Sequence, residues 1–223
     1  MTSSTPLNLE QARFNMIEQQ IRPWEVLDQA VLSLLAAVRR EDFVPPAYRA
    51  LAFVDTEVPL PEGQCMLAPK VEARLLQDLH VGRHERVLEV GAGSGFMAAL
   101  LAHRAQRVTT LETRPVLAAM ARANLQRAGI ANADVREADG SKGWSAEAPF
   151  DVILLSGSVP NVPQALLDQL KVGGRLAAIE GQEPVMRAVL FTKVAERQHR
   201  RVELFDTVAT RLDGFPEPSR FSF

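Results

Sequence analysis

The stretch VLEVGAGSGFMAALL, residues 87–101, runs a short apolar segment into three glycines and out into a helix-like pattern. Glycine serves where backbone must turn sharply and approach a ligand with no side chain in the way, and the helix that follows presents unpaired N–H donors. The spacing is Gly91-x-Gly93-x-Gly95, with Phe96 next. A dinucleotide fingerprint asks for Gly-x-Gly-x-x-Gly, so a pyrophosphate cradle fits less well than a site for a cofactor carrying an amino-acid carboxylate. Taken alone, the glycines also read as a plain strand-to-helix turn.

Working outward, the next strand-like run, RVTTLE, ends in Glu112, 21 positions after Gly91. An acid at that distance, at the end of the neighbouring strand, is placed to accept hydrogen bonds from ribose hydroxyls. A third run, Ala133 to Glu137, leads to Asp139-Gly140. Asp139 suits an exocyclic amine with a base lying flat on Gly140, or a simple Asx turn. A fourth, Phe150 to Leu155, is followed by Ser156-Gly157-Ser158, two hydroxyls at the same rim. Helical stretches at 96–103, 115–128 and 163–170 alternate with these runs, and Gly173-Gly174 reads as a helix stop before a fifth strand at 175–179. This succession predicts a parallel α/β sheet, with the runs 188–194 and 201–210 as an antiparallel edge pair.

Upstream of the glycines, 10–21, 28–38 and 71–79 have helical spacing, residues 1–8 read as a frayed start, and the proline-rich 43–69 reads as a long ordered loop. The expected division is 1–80, N-terminal helices and a covering loop, and 81–223, a cofactor-binding domain.

The 223 residues carry 25 Lys plus Arg against 27 Asp plus Glu, a net charge of −2, which argues against a nucleic-acid partner. With 47% hydrophobic residues the chain has material for a core, and no run is long enough for a membrane span. The single cysteine, Cys65, excludes an intrachain disulfide framework and points to a cytoplasmic setting. No metal-ligand set is expected from the four histidines, and Cys65 itself reads as a structural thiol. The sequence is compatible with a monomer or a weak homo-oligomer.

Several blocks, in order, resemble the protein-L-isoaspartate O-methyltransferase family of class I S-adenosylmethionine-dependent methyltransferases. They are Met16-Ile17-Glu18-Gln19-Gln20-Ile21, Val44-Pro45, Pro59, Gly63-Gln64, Pro69, the glycine loop, Gly143-Trp144, Ala148-Pro149-Phe150-Asp151, Gln169-Leu170 and Gly173-Gly174-Arg175-Leu176. The resemblance covers roughly residues 14–181. It implies a Rossmann-like, mostly parallel seven-stranded sheet with an N-terminal helical extension, S-adenosyl-L-methionine as cofactor, and a protein or peptide substrate bearing an isoaspartyl or other carboxylate. It also implies cofactor contacts at Glu89, Gly91, Ala92, Gly93, Ser94, Gly95, Glu112, Asp139, Gly140 and Ser156.

Departures fall at the acceptor end. Where the family has a Thr-Ile-Ser-Gln-Pro type segment, this chain reads Cys65-Met66-Leu67-Ala68-Pro69, so Leu67 stands at the serine position. Ser156 and Ser158 are the hydroxyls expected to take over the acceptor, and the tail FPEPSRFSF, residues 215–223, stands in for a Val-Pro-Leu-like segment. A catalytically silent or retargeted adenosylmethionine-binding relative is one alternative. A nicotinamide oxidoreductase is another, disfavoured by Phe96 and by the lack of a Ser-Tyr-Lys set, since Tyr48 is the only tyrosine.

Overall fold

The structure, a computed structural model, describes residues 8–216. The opening segment 1–7 and the tail residues 217–223 lie outside the described residues. Asn8 is not frayed: it caps α1 (Leu9–Met16), its side chain accepting the Gln11 N–H at 3.1 Å. The expected first helix then loosens into a π-helical turn at Ile17–Ile21. Asp28 caps α2 (Gln29–Ala37) by accepting the N–H groups of Ala30 and Val31.

The proline-rich loop is built from short helical turns and one tight hairpin, β1 (Val58–Pro59) with β2 (Cys65–Met66). Pro69 opens α3 (Pro69–Leu79), where its fixed φ suits a first turn and its missing N–H has no partner to lose. There follow β3 (Arg86–Val90), α4 (Phe96–Arg104), β4 (Arg107–Glu112), α5 (Pro115–Arg127), β5 (Ala133–Glu137), β6 (Phe150–Val159), α6 (Gln164–Asp168), β7 (Leu170–Gln182), β8 (Val185–Ala195) and β9 (Gln198–Thr207).

Seven of these strands form one sheet in the order β5-β4-β3-β6-β7-β8-β9. The first five pair in parallel, while β8 and β9 are added antiparallel, as the edge-pair expectation had it. The chain winds outward from β3 to β5 and then returns to lay β6 on the other side of β3, so the order reverses between β3 and β6. Ligands in open α/β sheets sit beyond the strand carboxyl ends at such a switch point. The strands bury both faces. Val87 and Val152 join the apolar cluster made with α1 to α5, whereas Leu88, Val90 and Ile153 face the cluster containing Leu166, Leu167 and Phe215.

The sheet corrects one expectation. Gly173 and Gly174 do not stop a helix, because α6 ends at Asp168 and both glycines lie within β7. They accommodate a bulge: the pairing of β6 with β7 jumps between Phe150↔Leu170 and Val152↔Arg175, and a Cβ on Gly174 would stand 2.8 Å from the Lys171 carbonyl. No helix among the described residues is long and apolar enough to cross a membrane.

Candidate active site

The glycine loop leaves β3 with its backbone in the left-handed region, φ being +92° at Gly91 and +84° at Gly95. Only glycine takes these values without cost. The two positions serve different ends. A Cβ on Gly91 would lie 2.7 Å from Leu212, so its bareness makes room over the loop. A Cβ on Gly95 would lie 3.2 Å from the Ala121 backbone, so its bareness lets α4 pack on α5.

Glu112 leaves β4 and turns back to the loop. Its carboxylate accepts the Gly93 N–H at 2.9 Å and the Arg114 N–H at 3.1 Å. The sequence places the glycine loop and the acid 21 positions apart, and the fold puts them in direct contact. Just past β5, Gly140 is buried against Val90, which a Cβ there would strike. Asp139 makes the Asx turn, accepting the Ser141 N–H at 2.8 Å, and its carboxylate is backed by Gly214.

Two adjoining cavities follow the rim. One is lined by Gly91, Gly93, Glu112, Gly140, Ser156 and Leu212, among others, and the second by Leu67, Glu72, Glu89, Ala92, Ser94, Phe96 and Ser156, among others. Cys65 lines both. Of the residues singled out in the sequence, Asp139, Gly95 and Ser158 line neither.

The second cavity is acidic at depth. Glu89 is fully buried in β3 and accepts the hydroxyls of Thr110 and Ser156, each at 2.7 Å. Burial outweighs those bonds and pushes its carboxyl up to about 7. While Glu89 is ionised, Ser156 spends its only hydrogen on it and faces the cavity as an acceptor. Leu67 is buried, and its carbonyl accepts from Arg40 Nη2 at 2.8 Å. The same guanidinium pairs through Nη1 with Glu72 and lies 5.0 Å above the Phe96 ring. Burial raises Glu72 to about 7 as well, against the pull of Arg40.

Ser158 corrects its assignment to the acceptor. It is fully buried, its hydroxyl donates to the Ala209 carbonyl at 2.8 Å, and its backbone pairs with Thr210 and Leu212. It fastens the C-terminal strap, residues 209–213, across the ends of β6. The strap lays Leu212 over Gly91 and Gly157, where Cβ atoms would stand 2.7 and 2.8 Å from its Cδ2. Arg114 clamps Asp213, and the Thr210 hydroxyl and N–H both reach Glu57 of the covering loop at 3.2 Å. The two cavities retain about 40 and 20 Å³, against roughly 300–1,000 Å³ for pockets that bury a drug-sized ligand. The chain's own strap and covering loop narrow the site.

Arg40, Glu72, Arg114, Leu212 and Asp213 were not singled out in the sequence. Arg114 stands two residues past the recognised acid and offered a signal. Leu212 lies at the end of a chain path with no local motif, three residues before the tail that drew attention.

A glycine loop, an acid and a second glycine on three successive strand ends, gathered at a switch point of this sheet, define a class I methyltransferase. The model of the Protein-L-isoaspartate(D-aspartate) O-methyltransferase family matches residues 11–207, and the chain belongs to that family. Protein-L-isoaspartate O-methyltransferase 1 of Syntrophobacter fumaroxidans is 41% identical over 184 residues, 82% of this chain and 86% of that protein. A protein of the same name from Rhodopseudomonas palustris is 40% identical over 203 residues, 91% and 83% of the two chains. Among solved structures, a putative protein-L-isoaspartate O-methyltransferase from Plasmodium falciparum, in complex with S-adenosyl-L-homocysteine, superposes with a TM-score of 0.76 at 21% identity. It covers 92% of this chain and 98% of that one, and shows the shared fold.

Proposed function

We propose that this protein transfers a methyl group from S-adenosyl-L-methionine to the carboxylate of isoaspartyl residues in damaged proteins. The observation that carries the reading is the contact of the glycine loop with Glu112 beside Gly140 at the switch point, in a chain about two-fifths identical to enzymes of that name. The donor set suits the cofactor. Backbone from Gly91 to Ser94 would hold its amino-acid end, Glu112 its ribose hydroxyls, and Gly140 its base; Ser156, which lines both cavities, stands between them with Glu89 bonded behind it. When bound, the cofactor supplies a methyl on a sulfonium.

The rest is positioning. An acceptor carboxylate, with an ordinary pKa near 4, is already ionised at neutral pH and needs no general base. Leu60, Leu67, Phe96 and Leu212 exclude water from the reacting end, and alignment of oxygen, carbon and sulfur contributes roughly 7–11 kcal/mol. Residues 1–80 would supply the cover and acceptor side and residues 81–223 the cofactor side; the single cysteine suits work in the cytoplasm, and the chain would act as a monomer or weak self-associate.

The test is transfer of labelled methyl from the cofactor to matched isoaspartyl and normal aspartyl peptides. Base-labile label on the isoaspartyl peptide alone is the expected result. Tight cofactor binding with no transfer to either peptide would sink the repair reading and favour a silent or retargeted relative, for which Leu67 is the motive.

A further inference from the structure

With Leu67 at the serine position, an incoming carboxylate lacks the hydroxyl that would hydrogen-bond it. Ser156 does not supply the bond, because its hydrogen is on Glu89, and Ser158 lies outside the cavities. Of the other polar side chains of the cavity that Leu67 lines, Ser94 belongs to the loop assigned to the cofactor and Glu89 is held by the Thr110 and Ser156 hydroxyls, which leaves two to carry a proton toward the acceptor. One is Cys65, a weak donor. The other is Glu72, in the first turn of α3, whose guanidinium partner also holds the Leu67 carbonyl.

We propose that Glu72, in its neutral form, donates the hydrogen bond that fixes the acceptor carboxylate, so that peptide binding above pH 7 takes up a proton. The proposal rests on the carboxylate-methylating reading above. A carboxylate entering this cavity meets Glu72 and Glu89 in a water-poor space, where neighbouring carboxyls do not all stay ionised. The charged and titratable groups facing Glu72 are Arg40 from the turn Arg40–Asp42, Glu89 from β3 and Cys65 from β2. On its own helix, Lys70 and Arg74 are turned to other acids, Asp55, Glu25 and Asp78. Burial keeps the Glu72 carboxyl near 7, so its proton is within reach at neutral pH.

The balance is simple. A solvent proton goes onto Glu72 as the peptide enters. The acceptor oxygen then bonds the methyl carbon while the carbon–sulfur bond breaks, its electron pair remaining on sulfur. The neutral ester stays bonded to the Glu72 proton, which returns to solvent when the ester leaves.

The experiment measures kcat/KM for an isoaspartyl peptide from pH 6 to 9, with the full chain and S-adenosyl-L-methionine. Alongside it, the homocysteine-loaded protein is titrated calorimetrically with peptide in buffers of different ionisation heat. For the wild type, kcat/KM should fall about tenfold per pH unit above about pH 7, with proton uptake on binding. Glu72→Gln, a permanent amide donor, should be slower by several-fold at pH 6.5, flat to pH 8.5, and free of proton uptake. Glu72→Ala should raise the peptide KM about 10- to 200-fold, the loss of one hydrogen bond to a charged group. An alkaline limb that survives in Glu72→Gln, or no proton uptake by the wild type, overturns the proposal. If the Glu72 variants fail to fold, Glu89→Gln keeps the test: proton uptake should persist in it, and its loss would assign the proton to Glu89 and overturn the proposal. Wild-type transfer that is independent of pH above 7 overturns it while leaving the methyltransferase reading intact, whereas no transfer to the isoaspartyl peptide at any pH overturns both.

Discussion

Arg114 grips Asp213 with two parallel bonds, Nε to Oδ2 at 2.8 Å and Nη2 to Oδ1 at 3.2 Å, across 99 residues of chain. Its remaining nitrogen donates to the Glu62 carbonyl at 2.6 Å. One guanidinium, two residues past the ribose-side acid, therefore holds both the covering loop and the strap that lays Leu212 over the glycine loop. Lifting the strap from Gly91 would break this grip.

Asp213→Asn should then speed association of S-adenosyl-L-homocysteine. Both partners are partly exposed, so the pair is worth at most about 1 kcal/mol and the expected gain is about two- to fivefold. Added salt should narrow the difference, because the contact is screened. Stopped-flow or surface-plasmon association rates provide the check, and equal rates for the two proteins would mean that the strap does not gate entry.

Glu112→Ala should weaken S-adenosyl-L-homocysteine binding by about 10- to 200-fold, the range for losing hydrogen bonds to a charged acceptor. Adenosine titrated by itself should lose a similar factor, since the ribose is the part assigned to Glu112. Adenosine affinity that is the same in both proteins would remove Glu112 from the ribose.

Ser158→Ala should cost stability, not chemistry. It leaves the Ala209 carbonyl buried without its 2.8 Å partner, a loss of about 1–3 kcal/mol in urea unfolding. Peptide KM should hold within about twofold. A variant of native stability with a raised peptide KM would return Ser158 to the acceptor site.

Stability should decline from pH 5 to pH 7.5. Glu72 and Glu89 are raised from 4.5 to about 7 in the folded chain. Between those values the native state binds more protons than the unfolded state, so stability is greatest at the acid end and is lost as pH rises toward 7. The size is on the order of 3 kcal/mol per group. Asp78 is shifted in the same direction, whereas the lowered acids Glu85 and Asp151 act below their ordinary values, outside this window. Chemical denaturation at four pH values tests it, and a stability that climbs over this range would contradict the buried-acid account.

The parallel strands were legible because strands covered on both faces are almost continuously apolar, as at Val87-Leu88-Glu89-Val90, and because glycine and acid at strand ends have few other uses. Ser158 misled for the opposite reason. A serine at a strand end looks alike whether it faces a cavity or the Ala209 carbonyl, and its partner lies 51 residues away. The pairing of Arg40 with Glu72 and of Arg114 with Asp213 was beyond reach from spacing, since each joins side chains on elements whose proximity only the finished fold decides. Gly173-Gly174 shows the same limit locally: a glycine pair serves a helix stop and a strand bulge equally well, and the register of β6 against β7 chooses.

Leu212 gives the closed cleft an apolar filling of its own. A guest that takes its place exchanges one greasy contact for another, while the displaced leucine returns surface to the solvent. Heat capacity should therefore change less when the cofactor binds than its buried area would suggest, because the leucine is exposed as the guest is covered.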